Sequence, residues 1–161
     1  KAGVISTRGN FDPQCSGVQK AERNYEYVVI SKENSISGKA ITVTRADINE
    51  IILAKSAIRT GIEILLMTAG IQYDQIEEFI VAGAFGTFLD INSAVTIGMF
   101  PEINPEKFQQ VGNAAGTGAR ALLLSTDIRK RCEQLSQRIK YVELSTFPNF
   151  NDILVSWMHL T

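Results

Sequence analysis

Two stretches decide the fold of this chain: Ile80-Val81-Ala82-Gly83-Ala84-Phe85-Gly86 and Val111-Gly112-Asn113-Ala114-Ala115-Gly116-Thr117-Gly118-Ala119. The first is a short apolar run that breaks into glycine, which predicts a buried strand whose C-terminal end opens into a tight turn. In α/β sheets ligands collect at that end, because loop amides and side chains converge there outside the covering helices. Glycine and alanine let the backbone come close to a flat or anionic ligand, with amide N–H groups as donors. The second stretch reads as another glycine turn running into a helix crowded with small side chains. Two such elements in one small domain predict a nucleotide cleft.

The flanking sequence supplies the rest of an α/β pattern. Residues 25–31 and 40–43 are rich in β-branched and aromatic side chains, and Lys32–Gly38 between them predicts a β-hairpin. Thr44-Arg45-Ala46-Asp47 resembles a capping box, with the Asp47 carboxylate favoured at a helix N-terminus. Ile48, Ile51, Ile52, Ile58, Ile62, Leu65, Leu66 and Ala69 then follow helical spacing as far as Gly70. A helical turn over 73–77 leads into a strand at 78–82. Asp90 or Asn92 caps a short helix ending near Gly98, and Pro101 and Pro105 punctuate a loop. Asn113 opens a long helix through Leu124, with a helical continuation over 127–139. Residues 141–144 are expected to be a strand, and Phe150, Ile153, Leu154 and Trp157 a closing amphipathic helix. Residues 1–24, with Gly3, Gly9, Pro13 and Gly17, read as turns. The expectation is an α/β domain whose sheet joins the hairpin to the strand at 78–82, flanked by helices beginning at Arg45 and Asn113.

Composition narrows the functional classes. With 161 residues and 45% apolar content, residues 1–161 read as a single domain. A net charge of -1 argues against an electrostatic nucleic-acid binder. No apolar run approaches the ~20 residues that span a bilayer, and no basic-then-apolar leader opens the sequence, so neither membrane nor export is expected. Cys15 and Cys132 form no CxxC and cannot alone supply four ligands for an iron–sulfur cluster or structural zinc; two unpaired thiols fit a cytoplasmic protein. His159, beside Trp157 and Met158, reads as a packing or surface residue rather than a catalytic base. The chain runs from Lys1 straight into Gly3-Val4-Ile5, which reads as mid-domain sequence, so a longer parent polypeptide is expected.

Each candidate site residue has a structural reading beside the functional one. Gly83 and Gly86 either make a turn or admit a ligand; they form neither G-x-G-x-x-G nor a lysine-bearing phosphate loop. Phe85 is a core anchor or a ring beside a base, with core packing favoured. Gly112, Gly116 and Gly118 let a helix approach a sheet, or touch a ligand. Asn113 caps its helix or faces a ligand at that N-terminus, and the two roles are compatible. Lys55 lies among the apolar positions Ile51, Ile52, Ile58 and Ile62. It snorkels to the edge, or serves as a cationic partner for a phosphate or a carboxylate; Arg59 poses the same choice. Arg129 to Arg131 read as a solvated helix face.

The order of hairpin, capped helix, strand with Ala82-Gly83-Ala84-Phe85-Gly86, and Gly/Ala-rich helix resembles the C-terminal half of an actin-like ATPase of the sugar kinase superfamily, a ribonuclease H-like fold. More specifically, Asp47-Ile48 with Ala54-Lys55-Ser56-Ala57-Ile58-Arg59-Thr60-Gly61-Ile62, then Ile97-Gly98-Met99-Phe100-Pro101 and Val111-Gly112-Asn113-Ala114-Ala115-Gly116, resemble the reductive activators of corrinoid proteins, including those of corrinoid methyltransferase and O-demethylase systems. The resemblance covers Gly3 to about Phe150. It implies ATP-dependent reduction of cob(II)amide to cob(I)amide on a corrinoid protein partner, with ATP/ADP and magnesium as ligands. It also implies an iron–sulfur domain and the other half of the ATPase in an N-terminal region. Gly83, Ala84, Phe85 and Gly86 would line adenosine, with Gly112 and Asn113 on the opposite wall and Lys55 behind; no catalytic residue is assigned. Two departures stand out. Ala84 replaces a glycine common in the superfamily, and the acidic phosphate loop and cluster cysteines are absent from this sequence. A homodimer, a small-molecule kinase of the same superfamily and a non-catalytic docking module remain as alternatives.

Overall fold

The run of β-branched and aromatic residues forms its hairpin, and a third strand joins it. In a computed structural model, which describes residues 2–161 and only the backbone of Phe85, β1 (Val18–Lys20), β2 (Tyr25–Ile30) and β3 (Ile41–Thr44) make an antiparallel sheet in that order. Val18 and Val43 both pair with Tyr27, and a register shift between Val28 and Ile30 closes the pairing near the hairpin loop. Residues 1–24 were expected to be turns alone. They also hold β1 and an isolated bridge between Ile5 and Phe11, because a three-residue strand is too short to show alternation.

Helix α1 (Arg45–Ala69) starts where the capping box places it. Asp47 Oδ2 accepts from the Thr44 amide at 2.8 Å and the Thr44 hydroxyl at 2.7 Å, and the Asp47 amide donates back to that hydroxyl. These bonds, the amide's first, hold the Asp47 carboxyl below its ordinary range. The chain divides into two compact units. The first gathers residues up to Gly61 with 96–99 and 149–161. Its core is Phe11, Ile48 and Ile52, with Val4, Ile5, Val18, Tyr27, Val43 and Leu160 packed around them. The closing helix α6 (Phe150–Ser156) belongs to it.

The second unit comprises residues 62–95 and 100–148. Its sheet pairs β4 (Phe79–Ala82) in parallel with β5 (Phe108–Val111), in the register Phe79↔Phe108 through Ala82↔Val111. This corrects the expectation of one sheet shared by the hairpin and residues 78–82. The partner of β4 is β5, a strand of sequence Phe-Gln-Gln-Val that two central glutamines disguise as loop. Phe79, Phe100 and Phe108 stack behind the strands with ring centroids 5.0–5.9 Å apart. Short helices α2 (Phe85–Phe88) and α3 (Ile91–Thr96) follow β4. Asp90 caps α3, accepting from the Ser93 amide at 2.7 Å. Helix α4 (Ala114–Leu124) follows β5, and Ser125 both ends it and caps α5 (Thr126–Ser136). Arg129, Lys130 and Arg131 are exposed, as expected. Residues 141–144 form no strand; the Glu143 carboxylate instead accepts from the Ser145 hydroxyl at 2.7 Å and turns the chain.

Candidate functional site

The two glycine turns meet at the C-terminal ends of β4 and β5. Parallel pairing brings Ala82 opposite Val111, so the residues that follow, Gly83 and Gly112, emerge side by side. The Gly83 amide donates to the Gly112 carbonyl at 2.7 Å, which extends the ladder one step beyond the strands. Gly83 then takes φ +76°, a left-handed conformation that costs glycine little and other residues about 1–2 kcal/mol. A Cβ placed on Gly83 would meet nothing within 4 Å, so space is open above this turn.

Gly86 has the opposite reason for being glycine. A Cβ there would lie 2.3 Å from the Val81 carbonyl oxygen and 2.6 Å from that of Val111. The first turn of α2 is therefore pressed onto the ends of both strands, and only a bare backbone fits. The Thr87 and Phe88 amides donate to the Ala84 carbonyl at 3.0 and 3.1 Å, and the Gln110 side chain ties the exit of α2 to β5 through the Leu89 carbonyl at 2.8 Å. On the other wall, Asn113 caps α4: its Oδ1 accepts from the Gly116 amide at 2.8 Å. Gly116 serves that cap, since a Cβ would sit 2.5 Å from Asn113 Nδ2. Gly118 meets no such neighbour.

Five expected site residues thus assemble in the second unit: Gly83, Ala84, Gly86, Gly112 and Asn113. Phe85 contributes its backbone to α2, while its side chain, read as core anchor or base neighbour, lies outside the described residues. Gly83, Ala84 and Asn113 are exposed and Gly112 is half-buried. The chemistry on offer is that of backbone amides, a bare glycine surface and one helix N-terminus, which suits a flat heterocycle with an oxyanion attached. Among the described residues no group of three or more His, Cys, Asp or Glu side chains could hold a metal ion. Cys15 is half-buried and Cys132 exposed, and neither pairs.

Lys55 belongs to the first unit and does not snorkel. It is 0% exposed, and its Nζ has no hydrogen-bond partner among the described residues. Burial pushes its amine below the ordinary lysine range, and the Arg59 charge adds to the effect. The Arg59 guanidinium carbon lies 4.3 Å from a Trp157 ring centroid, and Lys55 Nζ lies 5.9 Å from a Trp157 ring centroid. His159 stacks on Trp157 with ring centroids 6.2 Å apart, which fits its reading as a packing or surface residue. Two features escaped the sequence. One is β5, whose only signal was its place between Pro105 and Gly112. The other is the polar character of the buried face of α1, where Lys55, Ser56, Arg59 and Thr60 are all buried.

A separate groove of about 860 Å³ in the second unit is lined mainly by apolar groups, among them Leu65, Leu66, Ile71, Ile76 and Ile80. Leu65 and Ile80 are each more than half exposed, and β5 is the only strand of the described residues paired with β4. No helix is long and apolar enough to cross a membrane among the described residues.

Residues 1–161 match the family described as the C-terminal domain of RACo, the ASKHA domain. The chain is 36% identical over 160 residues to the corrinoid activation enzyme RamQ of Eubacterium limosum, covering 93% of this chain and 27% of that protein. It is 29% identical over 119 residues to a [Co(II) methylated amine-specific corrinoid protein] reductase of Methanosarcina barkeri, covering 73% and 22%. A solved structure described as a reductive activator for corrinoid, iron-sulfur protein superposes with a TM-score of 0.87 at 34% identity, over 99% of this chain and 26% of that one. The chain therefore spans about a quarter of the length of the relatives it matches.

Proposed function

Because the chain belongs to the family of RACo C-terminal, ASKHA domains, we propose that it supplies the adenosine-binding wall of an ATP-dependent activator that reduces cob(II)amide to cob(I)amide on a corrinoid protein. The observation that carries this reading is the joined pair of glycine turns: the Gly83 amide bonded to the Gly112 carbonyl at 2.7 Å, beneath open space. Ligands of open α/β sheets bind at such strand ends. The names of the relatives, an activation enzyme, a reductase and a reductive activator of corrinoid proteins, support the reaction and the partner.

In this reading the backbones of Gly83, Ala84, Phe85 and Gly86 hold one side of adenosine, and Gly112 with the Asn113 cap forms the other. Gly86 keeps α2 seated against the strand ends, and Gly116 keeps Asn113 aimed. Magnesium and the attacking water require carboxylates near the phosphates. We assign those, and the iron–sulfur centre that delivers the electron, to polypeptide outside residues 1–161. The same polypeptide would cover the open edge of β4 and the apolar groove beside it. ATP contributes by favouring one conformation of the activator–corrinoid complex, to the extent that it binds the two states with different affinity. Residues 1–161 act as one domain within that assembly, in a cytoplasm that keeps Cys15 and Cys132 reduced.

The test is an anaerobic absorbance assay of the full-length gene product with a corrinoid protein and a low-potential electron donor. ATP-dependent conversion of the cob(II)amide spectrum to that of cob(I)amide is expected. ATP-dependent phosphorylation of a small molecule, with no corrinoid reduction, would replace this reading with a kinase. Absence of nucleotide binding would leave a docking module.

A further inference from the structure

We infer that the Phe88 ring takes the face of the nucleobase in the cleft beside Gly83, so that α2 forms the base end of the site. The inference rests on the nucleotide reading above and adds a side chain to it. Phe88 is 86% exposed, although it belongs to a helix whose first turn is pressed onto the sheet. Its direction follows from that helix. Gly86 faces the strand ends, where a Cβ would lie 2.3 Å from the Val81 carbonyl oxygen. Phe88 stands about 200° further round the helix and so points away from the strands. Thr87, between them, faces the seam of the two glycine turns. Its hydroxyl donates to the Gly83 carbonyl at 3.4 Å and lies 3.3 Å from where a Gly112 Cβ would be.

The face that carries Phe88 also carries Ala84, one turn earlier, and the Phe88 amide donates to the Ala84 carbonyl at 3.1 Å. Aromatic side chains in helices lean back toward the N-terminus, which brings the ring over Ala84 and toward the turn. Ala84 is itself exposed, and the space that a Cβ on Gly83 would enter is open. Methyl and ring thus make an apolar edge to the cleft, beside a bare backbone. A lone exposed ring is ordinary on a protein surface; the place of this one, against the glycine turn, gives it a use. The chemistry of the edge selects its occupant. Residues 83–88 carry no ionisable side chain, and their one hydroxyl, on Thr87, is turned to the Gly83 carbonyl. An aromatic face is electron-rich and repels a phosphate, but it stacks on a flat heterocycle. The base therefore lies at α2, and the charged triphosphate extends away from it.

Calorimetry of ATP binding to the full-length gene product tests this with Phe88→Ala, Phe88→Trp and Gly83→Val. Phe88→Ala is expected to bind ATP about tenfold more weakly or worse, the loss of one base–aromatic stack. Phe88→Trp is expected to keep the wild-type affinity, and ATP should quench the emission of the new indole, read as the difference from wild type. A ring exposed in the protein carries little stability, so both Phe88 variants should melt with the wild type. A fall of several degrees in Phe88→Ala would show polypeptide packed on the ring and overturn the inference. Wild-type ATP affinity in Phe88→Ala also overturns it; if Gly83→Val has lost affinity in the same experiment, the nucleotide reading survives. Wild-type protein that binds no ATP overturns both. A loss in Phe88→Ala that Phe88→Trp neither restores nor reports by quenching overturns the stack. Weaker binding of the corrinoid protein to Phe88→Ala, with ATP affinity unchanged, would make the ring a protein-docking contact and likewise overturn it.

Discussion

Replacing Gly86 by alanine tests whether α2 is seated on the strand ends as the geometry requires. The added Cβ would lie 2.3 Å from the Val81 carbonyl oxygen and 2.6 Å from that of Val111. Both contacts are to backbone, which no rotamer change can move aside. Relief requires α2 to lift by roughly 1 Å, the shortfall against a normal carbon–oxygen contact. Overpacking of this kind costs about 1–3 kcal/mol, and the higher helix propensity of alanine returns at most ~1 kcal/mol. The net expectation is a destabilisation of about 1–2 kcal/mol, confined to the loop between β4 and α2. Hydrogen exchange on the full-length gene product should show faster exchange in peptides spanning 79–88 and 108–116, with peptides of 18–44 unchanged. Gly83→Ala is the control: its Cβ meets nothing, so only the φ strain of about 1–2 kcal/mol applies. Wild-type exchange and stability in Gly86→Ala would refute the close seating of α2, and with it the shape assigned to this wall.

Asn113→Ala should cost about 1 kcal/mol in denaturant unfolding by removing the cap on α4. Gly116→Ala should match it, because its Cβ expels the Asn113 amide. Phe100→Ala should cost about 3–5 kcal/mol, since the ring is 5% exposed and packed on Phe79 and Phe108; the fall in unfolding midpoint checks it. Asp47 has a folded pKa below its ordinary 3.8, so its contribution is present above that value and is lost as pH falls through the lower folded one. Asp47→Ala should therefore be less stable than wild type near neutrality, and the two should converge in acid-unfolding curves.

How much of this was legible in sequence depended on whether a local signal survived. Helix α1 was readable because Thr44 and Asp47 mark its start and its isoleucines keep a helical period. The hairpin was readable from its β-branched runs. The glycine turns announced strand ends, and Gly83 and Gly86 stand where that reading put them. What failed were elements defined by partners rather than by their own residues. Strand β5 has glutamines at two of its four positions and exists because it lies against β4. Residues 141–144 have strand composition but no partner, so Glu143 turns them into a loop. Lys55 departs from its reading for a related reason: sequence places it near an apolar stripe, but only packing shows that the buried face, apolar at Ile48, Ile52 and Ile64, is polar at Lys55, Ser56, Arg59 and Thr60 and closed over the amine.

The central claim is that the Gly83 turn touches the nucleotide, and calorimetry of ATP binding to the full-length gene product tests it most directly. Gly83→Val directs two methyl groups into the open space above the turn. With the far-ultraviolet spectrum and melting cooperativity retained, the account predicts at least a tenfold loss of ATP affinity, about 1.4 kcal/mol or more. An affinity equal to that of the wild type in the folded variant would remove this turn from the nucleotide site.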